Sequence, residues 1–254
     1  MKSNTQQIAL ILYSYNSQTP RMVEESSLSA ALHLTLGAQP TSWRSLVSHL
    51  VTQGVIEQAV SAQGRVLSLS LKGMRLCDEH FPALSVDWQQ WNGEWLNLVF
   101  IRPPKTDLQF RYLRSFLLQL KALPVSRGNY LVPILYQPEL LRLIQSSYEN
   151  SVVIFRAGEW SHGSIRQLTA SYFQFADQLA ALSGISKEIE SLLIEISSDS
   201  GRQNQHKQRF ATVFNRFWDV LGDDPGFLNH FVPTAPAARS LLTKLQSVFD
   251  AFDW

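Results

Sequence analysis

The sequence predicts an α+β chain in three compact parts. Three observations lead there. Apolar residues recur at helical spacing over much of the 254 residues. Two pairs of β-like runs are each joined by a short turn that holds a glycine, Gly64 and Gly128. From Ser164 onward the pattern is helical alone.

The first part covers residues 1–87. Ile8, Leu12 and Tyr15 place a helix over Gln6–Tyr15. Ser27 is positioned to cap a second helix, Leu28–Leu36, with Gly37 as its stop. Pro40 suits the first turn of a third. There Trp43, Leu46, Val47, Leu50 and Val51 form one apolar stripe, and Gly54 ends it. The runs Val55–Val60 and Arg65–Leu71 then make a hairpin across Ser61–Gly64, with Leu67, Leu69 and Leu71 on one side. Three helices followed by a hairpin is the order of a winged helix-turn-helix. Lys72–His80 closes the part, and Phe81-Pro82 opens a linker.

The second part covers residues 88–158. It reads as a strand, Trp95–Ile101, broken by Pro103-Pro104, then a helix from Asp107 to Leu120. That helix buries Phe110, Leu113, Phe116, Leu117 and Leu120. Leu123–Arg127 and Asn129–Ile134 form the second hairpin, Pro138–Ser147 a short helix, and Ser151–Phe155 the last strand. The order βαββαβ is the ferredoxin-like arrangement. The third part, residues 159–254, is helical. Leu168, Tyr172, Phe175 and Leu179 mark one helix and Ile185–Ile196 another. Ser197–Lys207 reads as a loop, Phe210–Leu221 as a third helix and Ala237–Phe252 as the last.

Composition sets limits. Hydrophobic residues make up 45% and charged ones 17%, enough apolar surface for a real core. Runs such as Ile8–Leu12 and Leu96–Ile101 fall far short of the roughly 20 residues that a membrane helix needs. No export signal pattern opens the chain, and Cys77 is the lone cysteine, which suits a reducing compartment; the expected location is the cytoplasm. Net charge is +1, and the first part balances 6 basic against 6 acidic residues. A DNA-binding part is normally more basic, because phosphate neutralisation supplies much of the affinity.

The candidate DNA-reading residues lie on the polar face of the third helix: Thr41, Arg44, Ser45, Ser48 and His49. Arginine can give two hydrogen bonds to guanine, while serine and histidine reach bases or phosphates. An ordinary amphipathic surface helix would carry the same pattern. Gln63 and Arg65 sit at the hairpin tip, where Arg65 suits a phosphate or minor-groove contact and equally an exposed turn. The six histidines show no metal-ligand spacing, and neither a phosphate-cradling glycine loop nor a nucleophile elbow is present. No cofactor, no metal and no enzymatic activity are therefore expected.

Several segments together resemble the PaaX-like regulators, the repressor family of phenylacetate degradation. Pro40–Gly54 followed by Val55–Leu71 is similar to its recognition helix and wing. Trp91-Asn-Gly-Glu-Trp95, Val99-Phe-Ile-Arg-Pro103, Arg111-Tyr-Leu-Arg114 and Gly128-Asn-Tyr-Leu-Val-Pro133 resemble its central domain. Phe214-Asn-Arg-Phe217, Asp224-Pro225 and Val232-Pro233 resemble its helical end. The chain departs from the family in two places. Arg44 is the only arginine or lysine between Arg21 and Arg65, and Ile101 stands where the family often has an acidic residue. The middle part also resembles the small ferredoxin-like subunit of the CRISPR adaptation machinery, some of whose relatives are metal-dependent nucleases. Leu96–Ile101 lacks the carboxylate that such chemistry needs, so nuclease activity is not expected.

The resemblance implies a repressor that occupies a double-stranded operator as a homodimer and is released by a small ligand such as an acyl-coenzyme A. Arg102, Lys105 and Arg111, with Arg114 beside them, would bind its phosphates, and Trp160 with His162 its head. These cations would equally make a solvated helix face or a contact to the DNA backbone. Phe249, Phe252 and Trp254 offer material for a dimer interface. The competing expectation is a ligand-sensing or protein-interaction module whose winged helix no longer binds DNA, as the neutral first part would allow.

Overall fold

The computed structural model describes residues 3–15, 19–36, 43–62, 64–85, 88, 90–102, 107–160, 162–198 and 202–254. It is a mixed α+β fold with two small antiparallel sheets and a helical C-terminal region. The chain divides into two compact units where the sequence suggests three parts. The first joins Met1–Ser85 with Ala176–Trp254, and the second is Val86–Phe175.

The first unit opens with α1 (Ser3–Leu12), β1 (Val23–Glu24), α2 (Glu25–Leu36) and α3 (Trp43–Thr52). Strands β2 (Ile56–Ser61) and β3 (Gly64–Leu69) follow, then α4 (Leu71–His80). β3 is the centre of a three-stranded sheet, with Val23 opposite Leu67 and Ser61 opposite Gly64. β1 is only two residues long and leaves no periodic signal in the sequence. α1 also differs from the expectation. It is buried all round from Gln6 to Leu12, while Tyr15 lies beyond it, exposed. The second helix begins at Glu25, so Ser27 lies inside it rather than at its cap. The serine that does cap a helix is Ser70, whose side chain accepts from Gly73 N at 3.0 Å to open α4. Leu71 is consequently exposed in α4 and leaves the Leu67–Leu69 face. Phe81 is fully buried and Pro82 opens a 3-10 turn, so this segment is core and not linker.

The second unit holds β4 (Trp95–Phe100), α5 (Asp107–Gln119), β5 (Leu123–Ser126), β6 (Asn129–Pro133), α6 (Gln137–Ser147), β7 (Val152–Arg156) and α7 (Ile165–Tyr172). Its four strands are all antiparallel in the order β5-β6-β4-β7. Leu96 and Leu98 of β4 pack with Leu113 and Leu117 of α5 and Leu140 and Ile144 of α6. Gly128 has φ +83, the left-handed conformation that the turn between β5 and β6 requires.

The remaining helices complete the first unit: α8 (Phe175–Ser198), α9 (Gln203–Asp223), the single turn α10 (Leu228–Phe231) and α11 (Ala238–Asp250). The sequence pattern joins Leu168 to Leu179 in one helix and starts a second at Ile185. The backbone instead breaks at Gln174, where φ is +52, and α8 then runs 24 residues. Leu182, Ile185, Ile189 and Leu192 form its buried stripe. The polar stretch Ser197–Lys207 is largely helical among the described residues, because α8 ends and α9 begins inside it.

Hydrogen bonds show why the two ends of the chain belong together. The last carbonyls of a helix have no partner within it. Gln246 of α11, buried, supplies one for α1: its side-chain NH2 donates to Leu10 O at 3.0 Å and Tyr13 O at 2.9 Å. Arg21 Nε donates to Ile11 O at 2.9 Å, and Arg21 also pairs with Asp250. Between α1, α2 and α9, Thr35 donates to Gln7 (2.9 Å), Gln7 to Asn215 (3.0 Å), and Asn215 to Thr35 O (2.7 Å). Phe249 and Phe252, expected to be interface material, are buried against Phe210 instead.

Replacing Gln246 by Ala removes the side-chain donor to Tyr13 O, just past α1, and leaves Leu10 O with only the long 3.4 Å bond from Tyr13 N. This is expected to cost about 1–3 kcal/mol, read as a lower urea midpoint with an unchanged slope. A midpoint equal to that of the wild type would show that water takes the donor's place.

Candidate functional site

α3 presents one face to solvent. Arg44, Ser45, Ser48 and His49 are all exposed, while Val47 and Leu50 are buried below them. Val51, expected in the stripe, is exposed at the helix end. Thr41 and Gln63 lie outside the described residues. The end of α3 is fixed by its own backbone. Gly54 takes φ +66, its N–H donates to Val51 O at 2.8 Å, and Val55 N donates to Leu50 O at 2.9 Å. These two bonds form a Schellman cap.

The cap also fixes where the hairpin leaves. Ser70, just past β3, donates to Gly54 O at 2.6 Å, which ties the end of the hairpin to the end of α3. One turn on, Gly73 packs directly on the same backbone. A Cβ added there would sit 2.1 Å from Val55 O. β2 is exposed from Glu57 to Ser61 and β3 at Gly64 and Arg65, so the turn end of the hairpin is exposed, while Ile56, Leu67 and Leu69 anchor its other end in the core.

The start of α3 is held by a residue that the sequence pattern does not single out. Glu25, the first residue of α2, has only 8% of its surface exposed. Trp43 Nε1 donates to its Oε1 at 3.1 Å. Arg65 Nη2 donates to the same oxygen at 3.3 Å, and Arg65 Nε lies 2.9 Å from Oε2. Arg65, exposed beside the hairpin turn at the start of β3, is therefore ion-paired with Glu25. Trp43, expected in the core, is half-buried with its ring nitrogen on this carboxylate. Glu24, Glu25, Arg44 and Arg65 together line an open cleft of about 380 Å³. A carboxylate 40 residues away in sequence from its partner carries no local signal, which is why spacing arguments miss it.

In the second unit Arg102, Arg111, Trp160 and His162 are all exposed, and Lys105 lies outside the described residues. Among the described residues, no hydrogen bond or ion pair joins any of these four to another. Arg114 is exposed as well. Cys77 is fully buried in α4, and burial pushes its thiol well above the usual range, so it stays protonated and unreactive. No helix among the described residues is long and apolar enough to cross a membrane.

No protein-family model and no curated protein matches the chain. Among solved structures it is similar to the uncharacterized protein Rv0674 from Mycobacterium tuberculosis, at 18% identity. The match covers 96% of this chain and 92% of that one, with a TM-score of 0.46.

The backbone contact at Gly73 is testable. Gly73→Ala must push α4 away from Val55, and overpacking of this kind is expected to destabilise by about 1–3 kcal/mol. A melting temperature equal to that of the wild type would mean that α4 shifts without cost.

Proposed function

We propose that this protein is a DNA-binding transcriptional regulator, with the first unit carrying a winged helix-turn-helix and no catalytic role. One observation carries the reading. α3 follows α2, leads into a hairpin whose turn end is exposed, and turns Arg44, Ser45, Ser48 and His49 to solvent. This order and this exposed face support the reading, since a recognition helix turns its polar side to the major groove beside a wing. The strand order β5-β6-β4-β7 supports a ferredoxin-like second unit. In such a regulator that unit would serve dimerisation or ligand sensing on a double-stranded operator. Release by an acyl-coenzyme A, held by Arg102, Lys105, Arg111, Trp160 and His162, is part of the same proposal.

A second reading has a specific observation in its favour. Arg65 is paired with Glu25, and Arg44 is the only arginine or lysine on α3. An interaction module that has given up DNA would show the same neutral face.

Gel shifts on the duplex upstream of the protein's own gene separate the two. The regulator should bind with an affinity that falls steeply as salt rises. Arg44→Ala should weaken that binding by about 1–3 kcal/mol and relax specificity at one base position. Binding to no duplex at low salt would favour the interaction module. A strict monomer in light scattering would remove the dimer. Calorimetric silence toward phenylacetyl-coenzyme A up to about millimolar, an affinity of about −4 kcal/mol, would remove the effector and leave the DNA reading standing.

A further inference from the structure

Glu25 is an acidic side chain on the face that would meet DNA. Its partner Arg65 donates from Nη2 to Glu25 Oε1 at 3.3 Å, and its Nε lies at ion-pair distance, 2.9 Å, from Oε2, which accepts no hydrogen bond. A guanidinium offers the same fork to two oxygens of a phosphate. A carboxylate and a backbone phosphate therefore compete for one set of donors. The geometry points to Glu25 as an internal competitor that holds Arg65 off the DNA backbone and so sets this protein's affinity for DNA. This inference rests on the DNA-binding reading above.

Three features make the exchange possible. The Arg65 side chain is 51% exposed, so the guanidinium can swing outward, while the Glu25 side chain is 10% exposed and cannot follow. Glu25 Oε1 keeps the Trp43 Nε1–H bond after Arg65 leaves, so one carboxylate oxygen stays satisfied. It also opens α2, where the unpaired N–H groups of the first turn favour a negative charge. With Arg65 released, Arg44 and Arg65 both border the same cleft as cations. A role for Glu25 only as a strut for Trp43 predicts no gain in binding when the charge alone is removed.

The test uses the full chain and the duplex upstream of its gene, with affinity followed by fluorescence anisotropy between about 50 and 200 mM salt. Glu25→Gln keeps an acceptor for Trp43 Nε1 and removes the charge. It should tighten binding about fivefold, the scale of one exposed ion pair, and steepen the slope of log K against log salt by about 0.9. Arg65→Ala should change little by itself, and in the Glu25→Gln background it should erase the gain.

Two results overturn the inference alone: Glu25→Gln that melts as the wild type but binds no tighter, or Arg65→Ala that by itself weakens binding and flattens the slope. The second means that Arg65 already sits on DNA. Should Glu25→Gln fail to fold, Arg65→Ala decides the matter. If neither the wild type nor Glu25→Gln binds any duplex, the DNA reading falls and takes this inference with it.

Discussion

Helix α1 cannot be satisfied by its own neighbourhood, and much of the first unit follows from that. Gln6 through Leu12 are buried, so their polar groups have little access to water. Gln246 and Arg21 donate to the carbonyls at the end of the helix. Gln6 and Gln7 bond Trp218 and Asn215 of α9. The C-terminal helices are thus a structural requirement of the N-terminal ones. The same network fixes α2, because Asn215 holds the Thr35 carbonyl at its far end. α2 in turn carries Glu25 at its near end, and Glu25 sets the start of α3.

This chain of dependence gives the candidate site its character. α3 is held at both ends by contacts that are not its own: Trp43 on Glu25 at the start, Ser70 on the Gly54 carbonyl after the end. Between them its outer face carries four exposed polar residues. A helix held at both ends with an exposed polar face is suited to meeting another surface, since little ordering entropy is lost on contact. The charge balance pulls the other way. A fold that spends one of its few cations on an internal carboxylate lowers its attraction for phosphate. Both tendencies meet in the cleft shared by Glu24, Glu25, Arg44 and Arg65.

Local periodicity was a good guide wherever one face of an element is buried and the other is not. α3, α5 and α6 lie close to where the apolar stripes place them, and both hairpins turn at Gly64 and Gly128. It was a poor guide in three kinds of place. α1 is buried on every side, so its stripe has no meaning. β1 is too short to alternate. The break at Gln174 is a single residue in a left-handed conformation, inside a pattern that would otherwise continue. Of the candidate site, the exposed side of α3 was legible from the polar positions between its apolar ones. The pairing of Arg65 was not, since its partner lies at the start of a different helix.

The sequence by itself therefore determined the elements that bury one face, the two turns and the polar face of α3, but neither β1 nor the break at Gln174. Each rests on interactions within a few residues, such as a stripe, a cap or a glycine with positive φ. Only the tertiary structure decided that the two ends of the chain make one unit, that the final aromatics are core, and that Arg65 is tied to Glu25. Those outcomes depend on polar groups dozens to hundreds of residues apart. A glutamine or asparagine that satisfies a distant carbonyl reads in sequence like any surface residue. The difference lies in desolvation: once buried, each such group must find a partner, and only the folded chain specifies which one.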